Sequence, residues 1–482
     1  MPKVDAHSPS MKDLFMDSDS WGTYTFGELI ARGVLEIGDG YRAKNSELGG
    51  DGLIFLRAGH VSDTEITLDG AERFCARLTA QVSSKTSRPG DVLVTTKGNS
   101  TGRVAFVSER MPTVVYSPHL SYWRSHDVIQ LVPSFLRAWS RGAELKHQVM
   151  GLAHGTDMAP YLSLIDQRRL RITLPPPAEQ RAIAHILSTL DDKIELNRQM
   201  NQTLEQIAAA FFRSWFVDFD PVRAKTEGRQ PAGMDAETAA LFPDRFVESE
   251  VGEIPEGWLQ TTVGDQVAMT KGRSYKSDQL VPSPMALVTL KSFLRHGGYR
   301  SDGLKAYDGP FKPEQVVLPG EIVVALTDVT QAAEVIGRPA LVQPDSRFEK
   351  LVASLDVGIV RPLSDELPVL FLLHLMSDDR FSNHTGSYAS GTTVLHLNTQ
   401  GITSYPFPLP PVPLLAAFDR IVSPLHERRT FNHAEATTLS ELRDALLPRL
   451  LSGKLRVPTD VLNEEVAQMS TRVEGLLTQS AF

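Results

Sequence analysis

Two short stretches of this 482-residue chain combine residue types suited to nucleic acid. Gly40-Tyr41-Arg42-Ala43-Lys44 and Gly272-Arg273-Ser274-Tyr275-Lys276 each place glycine, arginine, tyrosine and lysine within five residues. Lysine can neutralise a phosphate, arginine can contact a base edge, tyrosine can stack, and glycine lets the backbone come close to a ligand. A third stretch, Thr95 to Arg103, offers Lys97, Asn99, Ser100 and Arg103 to a major-groove edge. At the corresponding place farther along stands Thr327-Asp328-Val329-Thr330-Gln331, without basic residues. Two related loops that read different sequences would differ in this way. Taken singly, each loop also reads as a solvated turn; its recurrence favours a binding role.

Catalytic constellations are absent from the sequence. Gly98-Asn99-Ser100-Thr101-Gly102-Arg103 is too short for a phosphate loop and lacks its lysine. Pro175-Pro176-Pro177 follows a leucine, so the Asn/Asp-Pro-Pro-aromatic motif that holds a target amine in amino-methyltransferases is missing. Pro344-Asp345 with Glu349-Lys350 has the wrong spacing for a PD…ExK nuclease, no H-x-x-x-H or H-x-x-E-H pair occurs, and there is no G-x-S-x-G elbow. A self-contained methyltransferase or nuclease is therefore disfavoured. The single cysteine, Cys75, excludes a disulfide framework and a thiolate metal site, and a reducing cytoplasm is expected. No apolar run is long enough for a spanning helix, and no signal peptide opens the chain. With 41% hydrophobic and 22% charged residues the composition is that of a globular protein. The net charge of −9 argues against a protein that coats nucleic acid, leaving local basic loops as the contact.

The elements that must position these loops come in two copies. Trp21 with Gly27-Glu28 matches Trp258 with Gly264-Asp265, and Pro89-Gly90-Asp91 matches Pro319-Gly320-Glu321. Gly155-Thr156 matches Gly391-Thr392, and Leu174-Pro175-Pro176 matches Leu409-Pro410-Pro411. Together with the two basic loops these matches run in order along the chain, the pattern of an internal duplication. Short β-rich runs separated by turn residues fill each copy: Leu53 to Leu56, Val92 to Thr95, Val104 to Val107, Val114 to Tyr116, Ile322 to Leu326 and Leu355 to Val360. One helix is expected late in each copy, Ser134 to Met150 after Pro133 and Val369 to Phe381 after Pro368.

Beyond the prolines a helical period takes over. Ile183, Leu187, Leu190, Ile194, Asn197, Asn201, Leu204, Ala208 and Phe211 step by four and three, and the same steps run through Phe418, Val422, Leu425, Arg429, Asn432, Ala436, Leu439, Arg443 and Leu446. Such a pattern is a coiled-coil seam, and an asparagine facing an asparagine would fix its register. Two amphipathic helices packed separately on their own domains would show the same spacing. The fold class expected is α+β: two tandem-duplicated mixed α/β domains separated by two long helices forming an antiparallel coiled coil with pseudo-two-fold symmetry. The boundaries expected are an arm 1–20, a first domain 21–174, a central long helix 175–216, an acidic linker 217–255, a second domain 256–411, a distal long helix 412–456 and a tail 457–482, with one more short helix near Leu462 to Leu476. The first domain is net +3 and the second net −3, unusual for a nucleic-acid face, so basic groups in the second must gather locally.

At this point the chain resembles the DNA-specificity subunit of Type I restriction–modification systems. The stretch LPPPAEQRAIAHILSTLDDKIELNRQMNQTLEQIAAAFFRSWFVDFDPV, Leu174 to Val222, carries the resemblance, with GEIPEGW, Gly252 to Trp258, and LLPRLLSGKLRV, Leu446 to Val457. The resemblance implies a non-catalytic subunit whose two target recognition domains each read one half of a split, asymmetric site in double-stranded DNA. It implies long helices that dock two methyltransferase subunits, which methylate adenine on opposite strands, with motor-nuclease restriction subunits joining for phage defence. S-adenosylmethionine, ATP and magnesium would sit on those partners and not on this chain. Arg429 and Arg443 would then point at the methyltransferase. A coiled-coil scaffold with two peptide- or glycan-binding domains, or an orphan specificity subunit, remain as alternatives.

Overall fold

The computed structural model describes residues 20–62, 66–68, 70–153, 160–250, 252–295, 297–329, 333–392 and 394–458. The chain divides into two compact units, one containing residues up to Leu196 together with those from Glu435 on, the other containing Asn197–Ala434. The Gly155-Thr156 match, the N-terminal arm up to residue 19 and the expected helix near 462–476 lie outside the described residues.

In the first unit the β-rich runs form an antiparallel sheet in the order Leu35–Asp39, Leu120–Ser125, Val92–Thr95, Val104–Phe106. Ile37 and Val92 flank Trp123 on either side of it. A parallel pair joins Ile54–Leu56 to Val114–Tyr116, and Gly22–Thr25 pairs antiparallel with Arg171–Leu174. Trp123 meets Phe26 edge-on at 5.0 Å within a core that also holds Phe135 and Trp139. Aromatic pairs in this geometry stabilise beyond the area they bury.

The second unit has the same strand order: Val267–Lys271, Val357–Pro362, Ile322–Ala325, Pro339–Leu341. Met285–Val288 runs parallel to Lys350–Ala353, and Leu259–Thr262 pairs antiparallel with Pro406–Leu409. The local reasons for the sequence matches are now visible. Glu28 and Asp265 close capping boxes on Thr25 and Thr262, starting a short helix in each unit; such caps contribute about 1 kcal/mol. Asp91 is buried and accepts from Arg124 Nε and Nη2 at 2.7 Å and from the Tyr116 hydroxyl at 2.6 Å. Burial works against the Arg124 charge, but the Asp91 bonds hold its pKa above the ordinary value. The matching Glu321 holds Arg361 through Nε at 2.6 Å and Nη2 at 3.1 Å.

The two expected late helices are corrected. Each late helix is two helices: Pro133–Ser140 and Ala143–Ala153, then Val369–Ser377 and Asp379–Gly386. Gly142, a poor helix former, interrupts the first. Asp378 is extended and caps the Arg380 N–H at 2.9 Å, restarting the second. The acidic segment 217–255, whose sequence reads as a connector or docking segment, is structured. It forms helices Asp220–Thr226 and Ala236–Ala240 and a hairpin of Phe246–Ser249 with Gly252–Pro255, and buries Phe219, Val222 and Phe242 in the second unit's core.

Both long helices are continuous, Pro177–Phe216 and Val412–Leu451, each of 40 residues and thus about 60 Å long. Every position of the two four-and-three patterns is buried or half-buried. In the second unit Asn432 donates to Asn201 at 2.9 Å, and Arg429 pairs with Glu205. In the first, Arg443 pairs with Asp191 at 2.9 Å and Lys193 with Glu435 at 3.4 Å. Within each unit the partner number falls as the residue number rises, so the helices run antiparallel. Asn432 therefore bonds Asn201, one turn beyond its sequence match Asn197, because antiparallel strands of a repeat bring equivalent positions together only at the centre. Arg429 and Arg443, both positions of the four-and-three pattern, are each held by a carboxylate of the other helix, which goes against the alternative that they turn toward a partner.

Replacing Asp91 by alanine leaves the nearly buried Arg124 guanidinium with Glu36, at 3.8 Å, as its remaining carboxylate and should cost about 3 kcal/mol. Chemical denaturation measures this, and Glu321→Ala should cost less because Arg361 and Glu321 are 30% and 19% exposed.

Candidate nucleic-acid interface

Strand order brings the candidate loops to one end of each sheet. In the first unit Asp39 pairs with Ser121 and Thr95 with Leu120, so the chain leaves toward Gly40–Lys44 and toward Thr96–Arg103 beside the strand that begins at Leu120. Backbone bonds fasten both loops to the turn before that strand. Tyr41 N–H donates to the Tyr116 carbonyl at 2.6 Å, Gly40 N–H to Leu120 at 3.2 Å, and Thr96 N–H to His119 at 2.9 Å. In the second unit Arg273 N–H donates to Ala353 at 2.8 Å, Gly272 N–H to Val357 at 2.9 Å, and Leu326 N–H to Asp356 at 2.8 Å. The three-loop arrangement is thus the same in both.

Gly40 and Gly272 are required by this crossing. A Cβ on Gly40 would lie 2.1 Å from the Ser117 carbonyl oxygen, and one on Gly272 would lie 2.1 Å from that of Ser354. Tyr41 is also not free to stack. Its ring packs on Phe74 at 5.8 Å, its hydroxyl donates to Glu47 at 3.1 Å and accepts from Gln81 at 2.7 Å. Burial and the Glu47 charge raise its pKa, so it stays a neutral donor. Tyr275 is half-buried beside Leu287, Tyr307 and Val352, with Lys305 Nζ 3.3 Å from its hydroxyl.

Arg42, Lys44, Lys97, Asn99, Ser274 and Lys276 are exposed, and among the described residues their side chains have no hydrogen-bond or ion-pair partner. Lys44 and Lys276 begin the same one-turn motif: their N–H groups donate to Glu47 Oε2 at 2.7 Å and to Gln279 Oε1 at 2.9 Å, which leaves both ammonium groups in solvent. The Thr96–Arg103 loop is a compact double turn. Gly98 N–H and Thr101 Oγ1 donate to the Pro160 carbonyl at 3.0 and 3.1 Å, and Arg103 N–H donates to Ser100 at 3.0 Å. Ser100 is half-buried and serves this turn through its carbonyl, while Arg103 is exposed. Arg273 is half-buried, and its Nε has no partner. In the second unit Asp328 is buried and accepts from Val335 N–H at 2.8 Å.

The sequence reading missed the third loop, the turn Ser117–His119 and its counterpart Ser354–Asp356. His119 is exposed between the other two loops, while Asp356 at the matching place accepts from Thr327 at 3.0 Å. The turn-forming Ser-Pro-His and Ser-Leu-Asp, each just before a β-rich run, were the available signal. Among the described residues no group of three or more His, Cys, Asp or Glu is placed to hold a metal ion, and no helix is long and apolar enough to cross a membrane.

Comparison with known proteins agrees with the resemblance carried by Leu174–Val222, Gly252–Trp258 and Leu446–Val457. Residues 34–206 match the family model of the Type I restriction modification DNA specificity domain. The Type I restriction enzyme HindI specificity subunit of Haemophilus influenzae is 26% identical over 417 residues, covering 77% of this chain and 88% of its own length. The MjaIX specificity subunit of Methanocaldococcus jannaschii is 26% identical over 311 residues, 63% of this chain and 65% of its own. The crystal structure of a Type I restriction–modification S subunit from M. genitalium aligns with a TM-score of 0.50 at 14% identity, over 90% of this chain and 97% of that one. That likeness is one of fold.

An exposed, unpaired ammonium suits a phosphate and carries no sequence information, and Lys44 and Lys276 each present one. Replacing either by alanine should weaken binding to all duplexes alike and lower the slope of log K against log salt by about one unit. Titrations at several salt concentrations measure this; a loss confined to one target sequence would contradict it.

Proposed function

We propose that this chain, which carries a Type I restriction–modification DNA specificity domain, is the non-catalytic subunit that reads a bipartite, asymmetric DNA site for a methyltransferase and restriction complex. Its two globular parts, 21–174 and 256–411, are tandem-duplicated recognition domains, each reading one half-site with the three loops gathered at one sheet end. The observation that carries this reading is the repetition of the loop frame with different side chains. The backbone bonds that hold the loops recur position for position. The groups on them differ: Tyr41 against Arg273, His119 against Asp356, and a basic Lys97–Arg103 loop against Thr327–Gln331. A shared frame with different polar edges suits two unlike half-sites, since base identity is read by donor and acceptor pattern.

The long helices, 175–216 and 412–456, form an antiparallel coiled coil in this reading and fix the gap between half-sites. They also dock the partners. On Pro177–Phe216 the large apolar residues left exposed are Leu196 and Ile207, and on Val412–Leu451 they include Phe431 and Leu442. Leu196 and Phe431 are 235 residues apart, as are Ile207 and Leu442, the spacing that relates the two helices throughout. Eleven residues are about three turns, so each helix shows both members of its pair on one face. Two equal displays on a duplicated element support two copies of one partner, the methyltransferase subunits. S-adenosylmethionine, ATP and magnesium belong to partner subunits.

Removing one seven-residue repeat from each long helix shortens it by about 10 Å. With duplex DNA rising about 3.4 Å per base pair, the gap between half-sites should shrink by roughly three base pairs while both half-sites stay the same. Mapping the methylated sequence reads this directly, and an unchanged gap would exclude the helices as the ruler.

A further inference from the structure

Within 256–411 there are seven arginines, and six of them pair with a carboxylate: Arg295 with Glu334, Arg300 with Asp302, Arg338 with Asp379, Arg347 with Asp345, Arg361 with Glu321 and Arg380 with Asp378. Of these seven, Arg273 alone has neither a carboxylate nor any other side-chain partner among the described residues, although it is half-buried and its Nε is closed off from solvent. A guanidinium in that position has lost part of its water without gaining an acceptor, which is unfavourable until something else supplies one.

Its backbone is fixed as firmly as that of any strand residue. The N–H donates to Ala353 at 2.8 Å, and the carbonyl accepts from Leu355 N–H at 2.7 Å. Gly272 before it is pressed against the Ser354 carbonyl. The adjacent Ser354 hydroxyl is buried and likewise without a partner. The guanidinium is thus held low at the sheet end where the three loops meet, while Lys276 stands out in solvent three residues later.

We infer that Arg273 determines specificity in the half-site read by the second domain, by donating two hydrogen bonds to a guanine in the major groove. This rests on the DNA-reading function proposed above. The choice of base follows from the donor set. Arginine offers only N–H groups in a planar fork, and guanine presents the acceptor pair O6 and N7 on its major-groove edge. Adenine, cytosine and thymine each place a donor or a methyl group where the second acceptor would be needed. The first unit has no equivalent demand, because Tyr41 at the matching position is satisfied by Glu47 and Gln81. The inference also accounts for a recognition domain of net charge −3: its acids neutralise the structural arginines and leave one unpaired at the loops.

The test replaces the chromosomal gene by Arg273→Ala and by Arg273→Lys, maps adenine methylation by long-read sequencing, and compares thermal unfolding of the purified full chains. Arg273→Ala should make one guanine of one half-site degenerate, a loss of roughly ten- to a hundredfold in preference, with the other half-site and the gap unchanged. Arg273→Lys should keep a weaker guanine preference, and both variants should melt as the parent does. An unchanged motif overturns the assignment, as does a fall in methylation at all sites with the motif intact, which is the mark of a phosphate contact. A variant that no longer folds also contradicts it, since an arginine without a protein partner carries no part of the fold. A parent strain without any gapped motif overturns the underlying reading and the assignment with it; a gapped motif that Arg273→Ala leaves alone overturns the assignment only.

Discussion

In each unit one backbone crossing governs the rest: a glycine passes so close to two carbonyl oxygens that no side chain fits. Gly40 lies against Tyr116 and Ser117, Gly272 against Ala353 and Ser354. The crossing welds the loop after one strand to the turn before another, and the neighbouring strand fastens its own loop to that turn through Thr96 or Leu326. Side chains on such loops start from fixed Cα positions. Recognition by polar groups needs that rigidity, because a displaced donor is worth little at a base edge.

A second constraint holds the frame from beneath. Asp91 with Arg124, and Glu321 with Arg361, tie the turn after Pro-Gly to the strand that carries the third loop. The acid–arginine geometry is shared by the two units while the acids differ in length, so this frame tolerates change in side chains as long as charge and reach are kept. The same logic runs through the long helices. There Asn201 with Asn432 and the ion pairs Asp191–Arg443 and Glu205–Arg429 place polar groups within an apolar seam. Polar pairs at such places favour one register at some expense in stability.

Much of this frame was legible in the sequence because it depends on local chemistry. Capping acids, Pro-Gly turns, strand composition and the four-and-three helical steps are all short-range signals, and Pro177–Phe216 and Val412–Leu451 lie close to where the periodicity put them. What escaped depends on long-range partners. Nothing near Tyr41 announces Gln81 as its hydrogen-bond partner, and nothing near Gly40 announces the carbonyl of Ser117. The Arg443 spacing does not announce Asp191, which lies far away in the chain, and the loop composition around Arg273 does not show that the other six arginines of 256–411 are paired. The breaks at Gly142 and Asp378 were hidden because apolar spacing continues across them.

The central claim is that the chain reads two unlike DNA half-sites for an adenine methyltransferase. Long-read methylation sequencing of the host with and without this gene tests it most directly. The account predicts that one bipartite, gapped adenine-methylation motif disappears with the gene and returns when the gene is restored. An identical methylation pattern in both strains, with the gene expressed, would contradict it.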